Sequence, residues 1–109
     1  MSMKSAQEQI KNIFDEINKK KGLKPDPYYS FVRIVEEIGE VARQIFSKKV
    51  RPEKYDEENF KEEIVDVIIE LLYYSSLHGI EIEKMIFEKL EKIRQNNLNS
   101  KPKNSHNSV

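Results

Sequence analysis

Two pairs of carboxylates are the part of this sequence best suited to chemistry. Glu37 and Glu40 form one pair, Glu63 and Asp66 form the other, and the members of each pair are three residues apart. Residues at this spacing lie on one face of an α-helix, so each pair holds two like charges beside apolar neighbours. Like charges held together repel each other, and a divalent cation between them would relieve the repulsion. The spacing therefore predicts a metal site.

The two pairs occupy matching positions on their helices. On an ideal helical wheel the second carboxylate of each pair falls about 60° to one side of the first, and aliphatic residues fall about 40° to 80° to the other side. If the two helices pack side by side, all four carboxylates converge on one volume. Hard cations such as Mg²⁺ prefer oxygen ligands of this kind. The alternative interpretation is a pair of solvated, Glu-rich helix edges.

Several other kinds of site are excluded. The chain has no cysteine, which removes disulfides, thiolate zinc sites and cysteine nucleophiles. Di-iron carboxylate bundles need Glu-x-x-His motifs, and neither His78 nor His106 follows a carboxylate at that spacing. His78 precedes Gly79, where we expect a capping role. An EF-hand needs an Asp-rich loop of about twelve residues, and these carboxylates lie within predicted helices.

The composition favours one small, soluble domain. The chain has 109 residues, of which 38% are hydrophobic and 35% charged. Its 19 basic and 19 acidic residues cancel, whereas a generic nucleic-acid binder carries a basic excess. We find no apolar run of membrane-spanning length and no signal peptide, so we expect a cytoplasmic protein. A domain of this size gains stability by burying a face against a second copy.

Apolar periodicity predicts an all-α fold, an antiparallel four-helix bundle. We expect helices over about residues 4–20, 28–48, 58–77 and from 81 to about 97, and residues 1–97 form the predicted domain. A polar, disordered tail is predicted over 98–109. The residues expected to face a core are Phe31, Ile34, Val35, Ile38, Val41, Ala42 and Ile45 on the second helix, Phe60, Ile64, Val67, Ile68, Leu71 and Leu72 on the third, and Ile82, Met85, Ile86, Leu90 and Ile93 on the fourth.

The order of these motifs resembles a known family. Glu36-Glu37-x-x-Glu40, followed after 22 residues by Glu63-x-x-Asp66, resembles the EExxE…ExxD signature of MazG-type nucleotide pyrophosphohydrolases. The segment 77–83, Leu-His-Gly-Ile-Glu-Ile-Glu, is similar to a turn of that family, and 89–94 is similar to the basic segment that follows it. The resemblance covers about residues 28–96.

The resemblance implies an all-α homodimer or homotetramer that uses Mg²⁺, with Mn²⁺ as a substitute ion. The implied reaction cleaves a nucleoside triphosphate between its α and β phosphates and releases pyrophosphate. Carried onto this chain, Glu37, Glu40, Glu63 and Asp66 become the Mg²⁺ ligands. Glu36 lies farther from the core edge and fits an outer role in catalysis. One carboxylate of the set could instead orient the attacking water.

Substrate contacts are expected outside the four carboxylates. The cations Lys89, Lys92 and Arg94 on the fourth helix are candidates for the triphosphate, although each could be an ordinary exposed residue of a charged helix. Tyr28 and Tyr29 could stack on a base, and packing is the alternative. Glu70, which lies on the same helix edge as Asp66, is a further candidate for substrate binding.

Glu70 departs from the family pattern, which more often has an apolar or aromatic residue at that position. We expect it to bind a base or sugar, or to hold a basic side chain. Two other functions stay open at this stage: an enzyme like phosphoribosyl-ATP pyrophosphohydrolase, and a non-catalytic oligomerisation or adaptor module with a vestigial acidic groove. The preferred nucleotide, the number of ions and the choice between dimer and tetramer are not determined by the sequence.

Overall fold

A computed structural model of the protein describes residues 1–98. It contains four α-helices: α1 (Met3–Lys20), α2 (Pro27–Val50), α3 (Glu57–Leu77) and α4 (Ile82–Leu98). One 3-10 turn, Pro52–Lys54, lies between α2 and α3. No strand occurs in the described part of the chain, so the predicted all-α, four-helix fold is confirmed. Residues 99–109, which include His106 and nearly all of the predicted tail, lie outside the described residues.

Side-chain caps fix where the helices begin. The Oγ of Ser2 accepts a hydrogen bond from the Ser5 backbone N–H at 3.0 Å, which caps α1. Asp26 accepts from the Tyr28 N–H at 3.0 Å, and Asp56 accepts from the Asn59 N–H at 3.2 Å. Each cap satisfies one of the backbone donors that the first turn of a helix leaves free. The two helices that carry the carboxylate pairs, α2 and α3, therefore start at defined positions.

A glycine follows the end of α1 and another follows the end of α3. Gly22 follows α1 with a φ of 67°, and Gly79 follows α3 with a φ of 69°. This left-handed conformation is strained for residues that have a Cβ. After α3, the Gly79 and Ile80 N–H groups donate to Ser76 and Ser75 carbonyls, each at 3.0 Å. The chain is thereby turned so that α4 starts beside α1.

The helices pack in the order α2, α3, α1, α4. The largest contact is between α2 and α3, which brings the two carboxylate-bearing helices together. On its other side α3 packs against α1, and α4 packs mainly against α1. One chain therefore arranges its helices in an open row, and the radius of gyration is 18.2 Å where a compact domain of about 100 residues has about 13 Å.

Buried Gln7 joins three helices near the end of this row. Its side chain is 5% exposed. Its Nε2 donates to the Ile80 carbonyl at 2.8 Å and to the Leu72 carbonyl at 3.2 Å. Its Oε1 accepts from the Ile82 N–H at 3.0 Å, which satisfies a donor at the start of α4. A single α1 side chain thus holds the turn between α3 and α4.

A second polar contact holds α1 against α3. The Tyr73 hydroxyl donates to Asp15 Oδ1 at 3.2 Å and accepts from Asn18 Nδ2 at 3.2 Å. The Phe14 ring meets the Tyr73 ring edge-on with centroids 4.8 Å apart. Burial, followed by the nearby Asp15 carboxylate, raises the pKa of Tyr73. The neutral phenol is therefore the form that suits this contact.

Most of the apolar residues that were expected to face a core are exposed in one chain. The prediction that they lie in the interior was therefore wrong for a monomer. Among residues 1–98, only Ile34, Leu72 and Tyr73 are buried and apolar. The open row of helices is the physical reason, because each helix has too few neighbours to cover its stripe. Large apolar residues that remain exposed include Phe31, Val35, Ile38 and Ile45 on α2, Ile64, Ile68 and Leu71 on α3, and Met85, Leu90 and Ile93 on α4. No helix of the described residues is long and apolar enough to cross a membrane.

We predict that Gln7→Leu destabilises the fold. The substitution keeps a similar side-chain size but leaves the Ile80 carbonyl and the Ile82 N–H without their Gln7 partner, at a cost of about 1–3 kcal/mol for a buried polar group. Thermal unfolding followed by circular dichroism should show a lower midpoint. Gln9→Leu on the exposed face of α1 is the control and should leave the midpoint nearly unchanged. Equal midpoints for Gln7→Leu and the wild type would contradict the role given to Gln7.

Candidate functional site

The contact between α2 and α3 buries one carboxylate from each helix. Glu37 on α2 and Glu63 on α3 are each 8% exposed. Glu37 Oε1 lies 3.4 Å from Arg33 Nη2, and Glu63 Oε1 accepts from Asn59 Nδ2 at 2.9 Å. Both supporting residues lie one turn earlier on the same helix as the carboxylate they contact. Each acidic side chain is therefore oriented from within its own helix.

The second oxygen of each buried carboxylate has no protein partner. Glu37 Oε2 and Glu63 Oε2 are both buried, and neither makes a hydrogen bond to the described residues. An unsatisfied buried polar atom costs about 1–3 kcal/mol, and more when the group is charged. Native structures contain few such atoms. Two of them at one helix contact point to a ligand that donates positive charge or hydrogen bonds to both oxygens.

Glu40 and Asp66 form the solvent-facing rim of the same cluster. Asp66 is exposed, and Glu40 is partly exposed with Arg43 Nη2 at 3.7 Å from its Oε1. Both carboxylates lie close enough to Glu37 for their charges to raise its pKa. We call Glu37 and Glu63 the inner carboxylates, and Glu40 and Asp66 the rim carboxylates.

The electrostatics of the inner pair are unfavourable without a counter-ion. Burial is the largest cause of a raised pKa at Glu37, and repulsion from Glu40 and Asp66 is next. The Arg33 guanidinium opposes the rise, and Glu63 adds to it. Glu37 is therefore buried among three carboxylates with one nearby cation. Such an arrangement favours any process that brings positive charge to the cluster.

The carboxylates of the cluster lie near one another, but they are not arranged as the ligands of one metal ion. Within residues 1–98, no group of three acidic or histidine side chains is already arranged to hold a metal. The donors themselves suit a hard cation, because all are carboxylate oxygens. Ion binding would need rotations of side chains such as those at the exposed rim.

Glu70 extends the cluster one turn along α3. Its side chain is 12% exposed, and its Oε1 lies 3.8 Å from Arg33 Nε. Burial is the main cause of its raised pKa; Arg33 acts in the opposite direction, and Glu37 and Asp66 add repulsion. Arg33 also lies 3.8 Å from Glu36, whose side chain is 60% exposed. One arginine thus faces three carboxylates.

Other candidates from the sequence lie away from the inner carboxylates. Lys89, Lys92 and Arg94 are exposed on α4, which packs mainly against α1. Arg94 Nη1 lies 3.8 Å from Glu91 on its own helix. At the start of α2, Tyr28 and Tyr29 are 88% and 60% exposed.

Sequence reasoning missed two residues that touch the inner carboxylates, Arg33 and Asn59. A signal was available, because each lies four residues before an inner glutamate and so shares its helix face. His78 is the C-cap residue of α3, with its ring 4.6 Å from the Tyr74 ring.

We predict that Glu37→Gln does not destabilise the metal-free protein at neutral pH. A raised pKa in the folded state means that the unfolded chain releases this proton first, so the stability contributed by Glu37 falls as pH rises above about 4.5. The amide removes that loss. Urea unfolding of both proteins between pH 4 and 8 in EDTA should show the wild type losing stability relative to Glu37→Gln as pH rises. A relative change in the opposite direction would contradict the raised pKa.

Comparisons with known proteins identify the family. The family model described as the MazG nucleotide pyrophosphohydrolase domain matches residues 30–98. No curated protein and no solved structure shows a significant match to the chain. The matched segment contains residues 30–50 of α2 and all of α3 and α4, and with them every carboxylate of the cluster. On this match over more than half of its length, the chain belongs to the MazG family and carries a nucleotide pyrophosphohydrolase domain.

Proposed function

We propose that the protein is a Mg²⁺-dependent nucleoside triphosphate pyrophosphohydrolase. It would cleave the anhydride between the α and β phosphates and release a nucleoside monophosphate and pyrophosphate. Family membership supports hydrolysis of a nucleotide phosphoanhydride in general. The observation that carries the proposal further is the pair of inner carboxylates, one from each helix, each with a buried oxygen that lacks a partner.

The residues present fit a divalent cation. The inner carboxylates Glu37 and Glu63 would bind through their unpartnered oxygens, and the rim carboxylates Glu40 and Asp66 would complete the set. When bound, Mg²⁺ supplies charge that stabilises the phosphates and lowers the pKa of water at the site. Mn²⁺ has similar oxygen preferences and would serve as a substitute.

The proposed roles of the carboxylates follow from their exposure to solvent. The inner carboxylates are shielded from solvent; Asn59 donates a hydrogen bond to Glu63, and Arg33 lies beside Glu37. The rim carboxylates face solvent, where substrate and water must enter, so one of them can accept a hydrogen bond from the attacking water. In the reaction a water oxygen bonds to phosphorus, the anhydride P–O bond breaks, and the water proton passes to a carboxylate or to solvent. Glu36 contributes negative charge at the outer edge.

Assembly with a second copy would complete the domain. Many apolar residues of α2, α3 and α4 are exposed to solvent in one chain. A homodimer or homotetramer would bury them between the subunits. Basic residues of α4 do not contact the carboxylate cluster within one chain. We therefore include Lys89, Lys92 and Arg94 as substrate contacts of the assembled protein, and Tyr28 and Tyr29 as base contacts.

A second candidate is a helical oligomerisation module that does not catalyse. The observation in its favour is that the described carboxylates have not formed a three-ligand group. This candidate predicts that Mg²⁺ stabilises the fold no more than Na⁺ does at equal ionic strength. An enzyme like phosphoribosyl-ATP pyrophosphohydrolase would share the proposed chemistry and differ only in substrate.

We predict that Mg²⁺ raises the melting temperature of the wild-type protein beyond the effect of ionic strength. A ligand that binds only the folded state stabilises it by RT ln(1 + [L]/Kd), which is about 2.7 kcal/mol at 100 times Kd. Differential scanning calorimetry with MgCl₂ and NaCl at matched ionic strength measures this. Identical melting curves would favour the non-catalytic module.

We predict that Glu63→Gln removes this Mg²⁺ effect and lowers the rate of pyrophosphate release by about 100-fold or more. Even supporting residues of metal sites typically change affinity or activity by about 10–100-fold. The amide keeps the acceptor for Asn59, so the fold should be preserved. Glu62→Gln, at the exposed neighbouring position, is the matched control and should behave like the wild type. Pyrophosphate release from a panel of ribo- and deoxyribonucleoside triphosphates and phosphoribosyl-ATP is the assay; wild-type-like turnover by Glu63→Gln would contradict the proposal.

A further inference from the structure

Arg33 places a single positive charge inside the carboxylate cluster. Its Nη2 lies 3.4 Å from Glu37, its Nη1 lies 3.8 Å from Glu36, and its Nε lies 3.8 Å from Glu70. The first two partners belong to α2, and Glu70 belongs to α3. Arg33 therefore joins the two helices at the position where the inner carboxylate Glu37 is buried.

These contacts hold the guanidinium loosely. Charge-assisted N–H···O bonds are typically about 2.7–2.9 Å long, and strong arginine–carboxylate pairs use two parallel bonds. Every Arg33 contact is longer than that, and each carboxylate meets a different nitrogen. The Arg33 side chain is also 44% exposed. It can therefore take a new anionic partner without breaking a strong pair.

Glu70 is the more buried member of the Arg33–Glu70 pair between the helices. Its side chain is 12% exposed, against 44% for Arg33. It meets Nε, the guanidinium nitrogen nearest the aliphatic stem, which leaves the two terminal nitrogens directed towards the carboxylates of α2. Glu70 thus orients the cation while keeping its terminal nitrogens available.

The charge of the substrate makes such a cation necessary. A triphosphate brings several negative charges to a cluster that already contains six carboxylates. In the part of the chain that the structure describes, Arg43 is the other arginine paired with this cluster, and it makes one 3.7 Å contact with Glu40 while 75% exposed. Arg33 is the better-anchored cation, because it contacts both helices.

We propose that Arg33 binds the phosphates of the substrate and that Glu70 is the positioning residue that holds it for this purpose. The inference rests on the proposed function and assigns the phosphate contact of that same site. In the metal-free protein Arg33 partly neutralises Glu37. With a divalent cation bound to Glu37, Nη2 of Arg33 would be free to donate to a phosphate oxygen, Nη1 would be opposed only by the exposed Glu36 side chain, and Glu70 would keep its contact with Nε.

This exchange predicts opposite effects on two ligands. Arg33→Gln removes the cation that competes for Glu37, so the affinity for Mg²⁺ alone should rise about two- to fivefold, the range expected for a weak ion pair. The same variant should bind pyrophosphate, measured at saturating Mg²⁺, about tenfold or more weakly, because a charge-assisted hydrogen bond is lost. A side chain that only supports the fold would weaken both.

The experiment uses the full chain and isothermal titration calorimetry. MgCl₂ is titrated first, and inorganic pyrophosphate is titrated next at saturating Mg²⁺. The variants are Arg33→Gln, Arg33→Lys, Glu70→Gln and the Arg33→Gln/Glu70→Gln double variant. Lys61→Gln is the control, since it removes an exposed lysine that pairs with Glu58 within α3, and it should bind both ligands as the wild type does.

Glu70→Gln should weaken pyrophosphate binding less than Arg33→Gln does, and it should have no further effect in the double variant, because Glu70 acts through Arg33. Arg33→Lys keeps the charge without the guanidinium geometry, and its pyrophosphate affinity should fall between those of the wild type and Arg33→Gln. If Arg33→Gln does not fold, Arg33→Lys and Glu70→Gln still test the assignment, because both should bind pyrophosphate more weakly than the wild type does.

Two failures can be told apart. If the wild type shows no Mg²⁺-specific binding, the proposed metal site is wrong. If the wild type binds Mg²⁺ and pyrophosphate, but Arg33→Gln retains wild-type pyrophosphate affinity or loses affinity for both ligands, the metal site stands and the assignment of Arg33 is overturned.

Discussion

The burial of two like-charged side chains at one helix contact is the constraint on which the proposed site depends. Glu37 and Glu63 lie where α2 meets α3, and each has one buried oxygen without a partner. A cluster selected for stability alone would place apolar side chains at these positions, since unpaired buried charge is costly. Two buried carboxylates at this contact are understandable if the missing partner is a cation that binds during function.

The rest of the fold serves to hold this contact. Asp26 and Asp56 set the starts of the two helices, and Asn59 and Arg33 orient the inner carboxylates from one turn earlier. On the far side of α3, Tyr73 and Gln7 attach α1 and the start of α4. Apolar stripes on α2, α3 and α4 stay exposed in one chain.

The sequence was sufficient to predict the helices and the equivalence of the two carboxylate pairs, because helical periodicity and i,i+3 spacing are local properties. The wheel places the first carboxylate of each pair about 40° from the nearest apolar residue and the second about 100° from it, so it favours Glu37 and Glu63 as the buried members. How deeply they are buried depends on how closely α3 approaches each turn of α2, which helical spacing does not show. The predicted core failed for the same reason: the periodicity marks faces that must be covered, and it does not say whether the same chain covers them. The spacing of Arg33 and Asn59 places each on the same helix face as an inner carboxylate, but only the structure shows that they contact it.

Binding of Mg²⁺ by the inner carboxylates is tested most directly by carbon-13 NMR of the glutamate side-chain carboxyl groups during titration with Mg²⁺. If the two inner carboxylates bind Mg²⁺, the resonances of Glu37 and Glu63 should shift together and saturate, with no equivalent change in NaCl at the same ionic strength. The exposed Glu62 should show only the small, unsaturated change expected for a solvated carboxylate. Shifts confined to exposed carboxylates, or Glu37 and Glu63 resonances that do not respond to Mg²⁺, would contradict a metal site built on the two inner carboxylates.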